Sequence, residues 1–243
     1  MYLLRTDSTD FRDYEYTRTK SILRPVVDLR DWCSRVEDQR DLGSCSGAAV
    51  VGAYELILKK DYPEKYTDLS SLFVYYNARL LEDSIDKDNG AFIRSAIKAA
   101  YKYGLCAEST WPYFTDAFAA LPPIACYENA MHRKIKNYHR LSDLDDTLDA
   151  LNNNHPVMIG VALYTQFNDI TRGDPVLKMP MEGQDMMGSH AVCAVGYDAE
   201  RKQLLIKNSF GSSWGMHGYF WMPYEYAEKE INDQWVFDIE ILN

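Results

Sequence analysis

No uninterrupted apolar run approaches the roughly 18 residues that a membrane span needs, and the best stretch, 48–58, is broken by Glu55. Basic charge is also short: 26 Lys and Arg stand against 36 Asp and Glu, a formal charge of -10. That balance argues against nucleic acid as a partner, because condensed phosphate demands a basic excess. The start, Met1-Tyr2-Leu3-Leu4-Arg5-Thr6-Asp7, lacks the basic, apolar and small-residue regions of a secretory signal, so a cytoplasmic protein is expected. Five cysteines are too few for a disulfide scaffold, and their odd number leaves at least one thiol outside any intramolecular pairing. There is no C-x-x-C pair and no H-E-x-x-H, so neither a metal nor a cofactor is expected. No internal repeat is visible.

What remains is ordinary globular composition, 47% hydrophobic and 26% charged, organised as two halves of different pattern. The first half carries helical periodicity. Helices are expected over 45–60, about 69–82 and about 93–103, the last ended by Gly104 at a left-handed cap. Leu121-Pro122-Pro123 interrupts regular structure and marks the crossing between lobes. Beyond it, a short helix is expected at 144–151. Strands are expected at 157–162, 190–197, 203–207, 218–222 and 234–241, forming an antiparallel sheet or barrel.

Gly43-Ser44-Cys45-Ser46-Gly47 places a thiol at the first turn of a helix, where free N–H groups and the positive dipole end favour a thiolate. Cys45 is the candidate nucleophile. A partner base is needed, and His190 opens an apolar strand, Ser189-His190-Ala191-Val192-Cys193, from which an imidazole can face a cleft. Asn208 ends the strand Leu204-Leu205-Ile206-Lys207, and its amide can accept from an imidazole N–H and orient it. Gln39, six residues before Cys45, can join the Cys45 N–H in stabilising an oxyanion. Taken singly, each has a structural explanation: a buried turn cysteine, a core histidine, a turn asparagine, a surface glutamine.

Together with Asp88-Asn89-Gly90-Ala91, Trp111-Pro112-Tyr113, Gly196-Tyr197, Trp214-Gly215 and Gly218-Tyr219, these blocks stand in an order that resembles the papain-like cysteine peptidases (the C1 family). The likeness covers about residue 25 to 243. His190 and Asn208 lie roughly 145 and roughly 163 residues beyond Cys45, against about 130–150 in the family. The resemblance implies an α+β, two-lobe fold with a helical left lobe, an antiparallel β-barrel-like right lobe and an interlobe active site. It places the helical lobe at about 25–125, the β lobe at about 126–243, and an N-terminal extension at 1–24.

It further implies a peptidase acting on polypeptide through a Cys45 thioester, an endopeptidase in activity, with His190 as acid and base. Asn208 would orient the imidazole and Gln39 would hold the oxyanion. Gly90 and Ala91 would meet an extended substrate, with Phe92, Ile93, Gly160, Ala191 and Trp214 near the specificity pocket. A monomer without cofactor, nucleic acid or membrane partner is expected. A catalytically silent peptide-binding module, or an acyltransferase or deamidase on the same fold, is the alternative. A Cys nucleophile elbow is disfavoured because 37–41 is polar where an elbow needs an apolar strand.

Several positions depart from the family. Leu42 stands where a disulfide cysteine is usual, so all five thiols are expected to be reduced. Ser46 follows Cys45 in place of Trp, Phe210 replaces the Trp that shields the His–Asn hydrogen bond, and Ala91 replaces Gly, which matters only if its φ must be positive. Residues 1–24 are too short for the family's helical prodomain, yet Phe11, Tyr14 and Tyr16 favour docking. Two sites are open: a brace along the back of the lobes, or the substrate cleft.

Overall fold

A computed structural model describes residues 2–8, 10–19 and 21–242; Met1, Thr9, Lys20 and Asn243, which belong to the segments read above, lie outside the described residues. In chain order the elements are β1 (Val26–Asp28), α1 (Cys45–Asp61), α2 (Ser71–Leu81), α3 (Ile93–Tyr103) and α4 (Ile124–Ala130). They continue with β2 (Arg133–Arg140), α5 (Leu144–Asn152), β3 (Val157–Leu163), β4 (Gly188–Asp198), β5 (Gln203–Lys207), β6 (Tyr219–Pro223), α6 (Tyr224–Glu230) and β7 (Ile231–Ile241).

Helix α1 is apolar on every side, and its first fourteen residues, 45–58, are buried, so it can only be the central helix of the domain. Its neighbour α2 packs close, since a Cβ at Gly47 would stand 2.6 Å from the Ser71 carbonyl oxygen. Ser70 caps α2 by accepting the Phe73 N–H at 3.1 Å, and Asp143 caps α5 through the Asp146 N–H at 2.8 Å. Helix α3 is strongly amphipathic and stops at Gly104, whose φ of 83° and ψ of -167° suit glycine rather than the left-handed helical cap.

The sheet is antiparallel throughout, in the order β2-β7-β3-β4-β5-β6, with β1 paired to β4. Of the two forms expected for the rear lobe, the open sheet is the one found: β2 and β6 are edges and do not close into a barrel. Strand β3 is buried at all seven positions, which explains its uninterrupted Val-Met-Ile-Gly-Val-Ala-Leu run.

Strand β2, by contrast, was not legible from the sequence. It reads Arg-Lys-Ile-Lys-Asn-Tyr-His-Arg and buries only Ile135, as a charged edge strand does to resist pairing with other chains. The short α4 and α6 and the three-residue β1 were likewise not anticipated. Regularity resumes directly after Pro123, which caps α4, and the chain reaches the sheet at Arg133.

The N-terminal segment uses both docking sites. Leu4 N–H donates to the Ser189 carbonyl at 3.0 Å, and Leu3 pairs in parallel with Ser189, so residues 2–5 lie along the start of β4. Farther on, Tyr16 and Arg140 exchange with the sheet edge: Tyr16 N–H to Arg140 O and Arg140 N–H to Tyr14 O, both 2.8 Å. Arg18 then reaches Asp146 at 2.5 Å, and Thr19 donates twice to Asp149 at 2.9 Å, bracing α5.

Between these stretches sits a buried charge cluster. Arg94 binds Asp13 at 2.8 Å and receives Asp7 on its backbone N–H at 2.9 Å. Arg140 binds Asp13 at 3.4 Å and Asp233 at 3.3 Å. Burial, with the Asp7 carboxyl alongside, pushes the Asp233 carboxyl well above the ordinary carboxylate range.

Candidate active site

The loop ahead of α1 is built by hydrogen bonds from distant elements. Gln39 N–H donates to Ser209 O at 2.9 Å, and the Ser209 hydroxyl donates to Gln39 Oε1. With Oε1 so engaged, the amide nitrogen faces its own loop, donating to Leu42 O at 2.9 Å, its one side-chain donation among the described residues. Tyr113 OH donates to Gln39 O at 2.9 Å and pairs with Ser44 Oγ at 2.6 Å. Cys45 is therefore delivered at the helix start by a loop tied to the ends of both halves.

Asp88 supplies a second tie. Its carboxylate accepts the Gly43 N–H on both oxygens, at 3.0 and 3.1 Å, and the Tyr75 hydroxyl at 2.6 Å. Tyr75 in turn accepts the Gly90 N–H at 3.2 Å. Leu42, buried beside it, leaves no disulfide there, and all five cysteines are buried and unpaired; the Asp88 carboxylate and Tyr75 hold segments 42–43 and 88–90 together. Charge-assisted hydrogen bonds contribute about 1.5–3 kcal/mol each. Asp88→Ala is expected to lower unfolding stability by about 2 kcal/mol or more in urea melts, and a loss below about 0.5 kcal/mol would show that the tie is idle.

His190, in β4, presents Nε2 to Asn208 Oδ1 at 2.8 Å. A carbonyl oxygen only accepts, so Nε2 carries the proton and the neutral ring leaves Nδ1 as a free base. Among the described residues Nδ1 has no hydrogen-bond partner. The Cys45 thiol lies at the backbone N–H of Ala191, next in the chain to His190, so α1 and β4 bring thiol and imidazole to one place. Phe210 stacks on the imidazole with ring centroids 5.1 Å apart, and Trp214 and Phe167 continue the wall at 5.7 and 6.1 Å from Phe210. Phe210 thus screens the His–Asn bond as an apolar ring should.

Burial opposes the thiolate that the local sequence favours. Burial pushes the Cys45 thiol up to about 11 against the opposing pull of the Ala191, Ser46 and Cys45 N–H groups. Burial likewise drives His190 down to about 4 although Asn208 favours its charged form. Burial therefore opposes a thiolate–imidazolium pair in this form, and Tyr2, packed against the imidazole, contributes to that burial.

That segment meets the remaining candidate residues. Tyr2 sits 5.8 Å from the His190 ring centroid. Leu3 packs on Gly43 and Gly90; a Cβ on Gly90, where φ is +74°, would stand 1.8 Å from the Leu3 carbonyl oxygen. Ala91 is buried and not among the positive-φ residues, so the departure from Gly is harmless. Leu4 fills the pocket at Gly160, with its Cδ2 3.0 Å from where a Cβ would be. Arg5 lies over the Phe92 ring at 4.2 Å, and Ile93 is buried as the first residue of α3. Ser209, Tyr113, Tyr75, Asp88 as a carboxylate ligand, and Glu82 beneath Arg5 were not read from the sequence. Of these, Asp88 and Tyr113 stand in blocks whose order the sequence shows, 88–91 and 111–113, and the others carried no signal.

Residues 23–239 match the model of the papain family cysteine proteases. An uncharacterized peptidase C1-like protein of Acanthamoeba polyphaga mimivirus is 39% identical over 227 residues, covering 88% of this chain and 72% of the relative. The chain is also 26% identical to cysteine proteinase 1 of Entamoeba histolytica, spanning 60% of that protein's length. Among solved structures, the cysteine protease xylellain from Xylella fastidiosa superposes with a TM-score of 0.91 at 32% identity, covering 100% of this chain and 96% of that one. Bromelain from Ananas comosus, at 21% identity and a TM-score of 0.69 over 90% of this chain and all of that one, shares the fold.

Proposed function

The chain belongs to the papain family of cysteine proteases, and on that premise we propose that it hydrolyses internal peptide bonds through a Cys45 thioester. The observation that carries this reading is the hydrogen bond from His190 to Asn208, which leaves Nδ1 as the base on the side of the helix start that bears Cys45. Nδ1 takes the thiol proton as sulfur attacks the scissile carbonyl carbon. The resulting oxyanion is held by the Cys45 N–H and the Gln39 amide. The C–N bond then breaks as His190 hands its proton to the leaving amine. In the second half Nδ1 removes a proton from water, the hydroxide attacks the thioester, the C–S bond breaks and the proton returns to sulfur.

Residues 2–5 make the described form latent. For His190 to protonate the leaving amine, the C-terminal side of a substrate must lie toward the imidazole and its aromatic wall, and the acyl side along Gly90 and Gly160. The docked segment runs the other way, with Tyr2 at His190 and Leu4 at Gly160, so it fills the cleft without offering a bond for cleavage. Incubation of the full chain carrying Leu4→Asp, which frees the cleft, with a peptidyl epoxide, followed by intact mass and peptide mapping, tests the reading. One adduct, on Cys45 and absent from Cys45→Ala, is expected. Equal modification of Cys33, Cys106, Cys126 or Cys193 would refute the assignment of the nucleophile.

A further inference from the structure

Resting on the hydrolytic reading above, we propose that the cleft contains a subsite for a basic side chain, made by Glu82 and Phe92, so that favoured substrates carry Arg or Lys directly before the aliphatic residue that enters the Gly160 pocket. The docked segment is itself the guide. Its side chains occupy consecutive positions along the cleft: Leu3 at Gly43 and Gly90, Leu4 at Gly160, and Arg5 at Glu82. An extended peptide running in the productive direction places its side chains at the same stations in reverse order. The third residue before the scissile bond then falls where Arg5 lies.

Glu82 is built for a cation rather than left on the surface. Its side chain is only 7% exposed. One oxygen accepts the Phe92 N–H at 3.0 Å and the other accepts Arg5 Nη1 at 2.8 Å. Burial raises its carboxyl pKa, opposed by the hydroxyl of Ser95 and the Phe92 N–H. The guanidinium lies 4.2 Å above the Phe92 ring, a ring fixed at the N-cap of α3.

A nearly buried carboxylate beside a fixed aromatic face favours a planar cation by ion pairing and cation–π attraction together. The two other charges nearby are already engaged: Asp7 with Arg94, and Arg79 with backbone carbonyls of Ile85 and Lys87. When residues 2–5 leave, Glu82 keeps its place through Phe92 and lacks only its cation. The exposed pair of Lys229 with Glu225, at 59% and 61% exposure, has no comparable construction and would select little.

The test uses the full chain opened by Leu4→Asp with Arg5→Glu, and peptides that differ only in the third residue before the scissile bond: Arg, Lys, norleucine or Glu. The Arg peptide is expected to exceed norleucine by about 10-fold in kcat/KM, mainly through KM, and Glu by about 100-fold. Glu82→Gln should collapse the Arg-to-norleucine ratio, and Glu82→Lys should invert the order of Arg and Glu. The same peptides are titrated into the opened chain carrying Cys45→Ala, where binding alone reads the subsite. Arg and norleucine peptides within twofold of each other in that titration overturn the proposal, even if Glu82 variants do not fold. Discrimination in binding without turnover of any peptide supports the subsite and refutes the hydrolytic reading instead.

Discussion

Cys45→Ala and His190→Ala are each expected to reduce peptide turnover in the opened chain to background, a fall of about 10⁴-fold or more, because nucleophile and base act as one unit and the loss of either removes the thioester route. The two supporting residues should separate by role. Gln39→Ala removes one oxyanion donor and is expected to cost about 10²–10³ in kcat. Asn208→Ala leaves His190 in place but releases the constraint that puts its proton on Nε2, so a loss smaller than that of His190→Ala is expected. Steady-state kinetics on one fluorogenic peptide rank all four. Wild-type turnover in Asn208→Ala would remove the orienting role, and substantial turnover in His190→Ala would remove the base.

An equally large effect of opposite sign is expected from opening the N-terminal segment. Leu4 is 7% exposed in its pocket, and burying a leucine side chain contributes about 1.5–3 kcal/mol. Leu4→Asp exchanges that gain for the cost of burying a charge, so activity of the full chain on small peptides should rise about 10- to 100-fold. The melting temperature should fall only a few degrees, about what loss of that docking energy implies, since the brace of Tyr16, Arg18 and Thr19 on α5 remains. A lower melting temperature without activation would mean that residues 2–5 brace rather than block.

The charge cluster gives latency a pH dependence. Burial raises the Asp233 carboxyl and docking sets Asp7 beside it, so at this pair the docked form binds more protons than the open one. Docking is then tightest in acid and weakens as pH rises between the ordinary carboxylate value and the raised one. The ratio of opened to wild-type activity, which cancels the pH dependence of the chemistry itself, should shrink from pH 5 to pH 8. A ratio that grows with pH would contradict this linkage.

Local pattern carried far in this molecule. The continuous apolar face of α1, the two-sided apolar run of β3 and the cap at Ser70 are properties of neighbouring residues, and burial energy acts on them wherever they fall in the chain. The order Cys45, His190, Asn208 could be read because each of the three stands at or near the end of an element whose pattern is itself local, whereas Gln39 lies in the polar loop 37–41. Strand β2 escaped because a charged edge strand has no alternating signal to read. Asp88 and Ser209 escaped because a carboxylate or hydroxyl names no partner until Gly43 and Gln39 arrive from 45 and 170 residues away.

The sequence by itself determined the α+β class, the central helix with Cys45 at its start, and the set of polar residues placed at strand ends. Only the tertiary structure decided that Asp88 ties the loop before Cys45, that Tyr2 to Arg5 lie against His190, Gly90, Gly160 and Glu82, and that burial opposes charge on Cys45 and His190. The division has one physical cause. Periodicity and capping depend on residues a few positions apart, whereas hydrogen-bond partners and protonation depend on which distant groups exclude water from the same small volume.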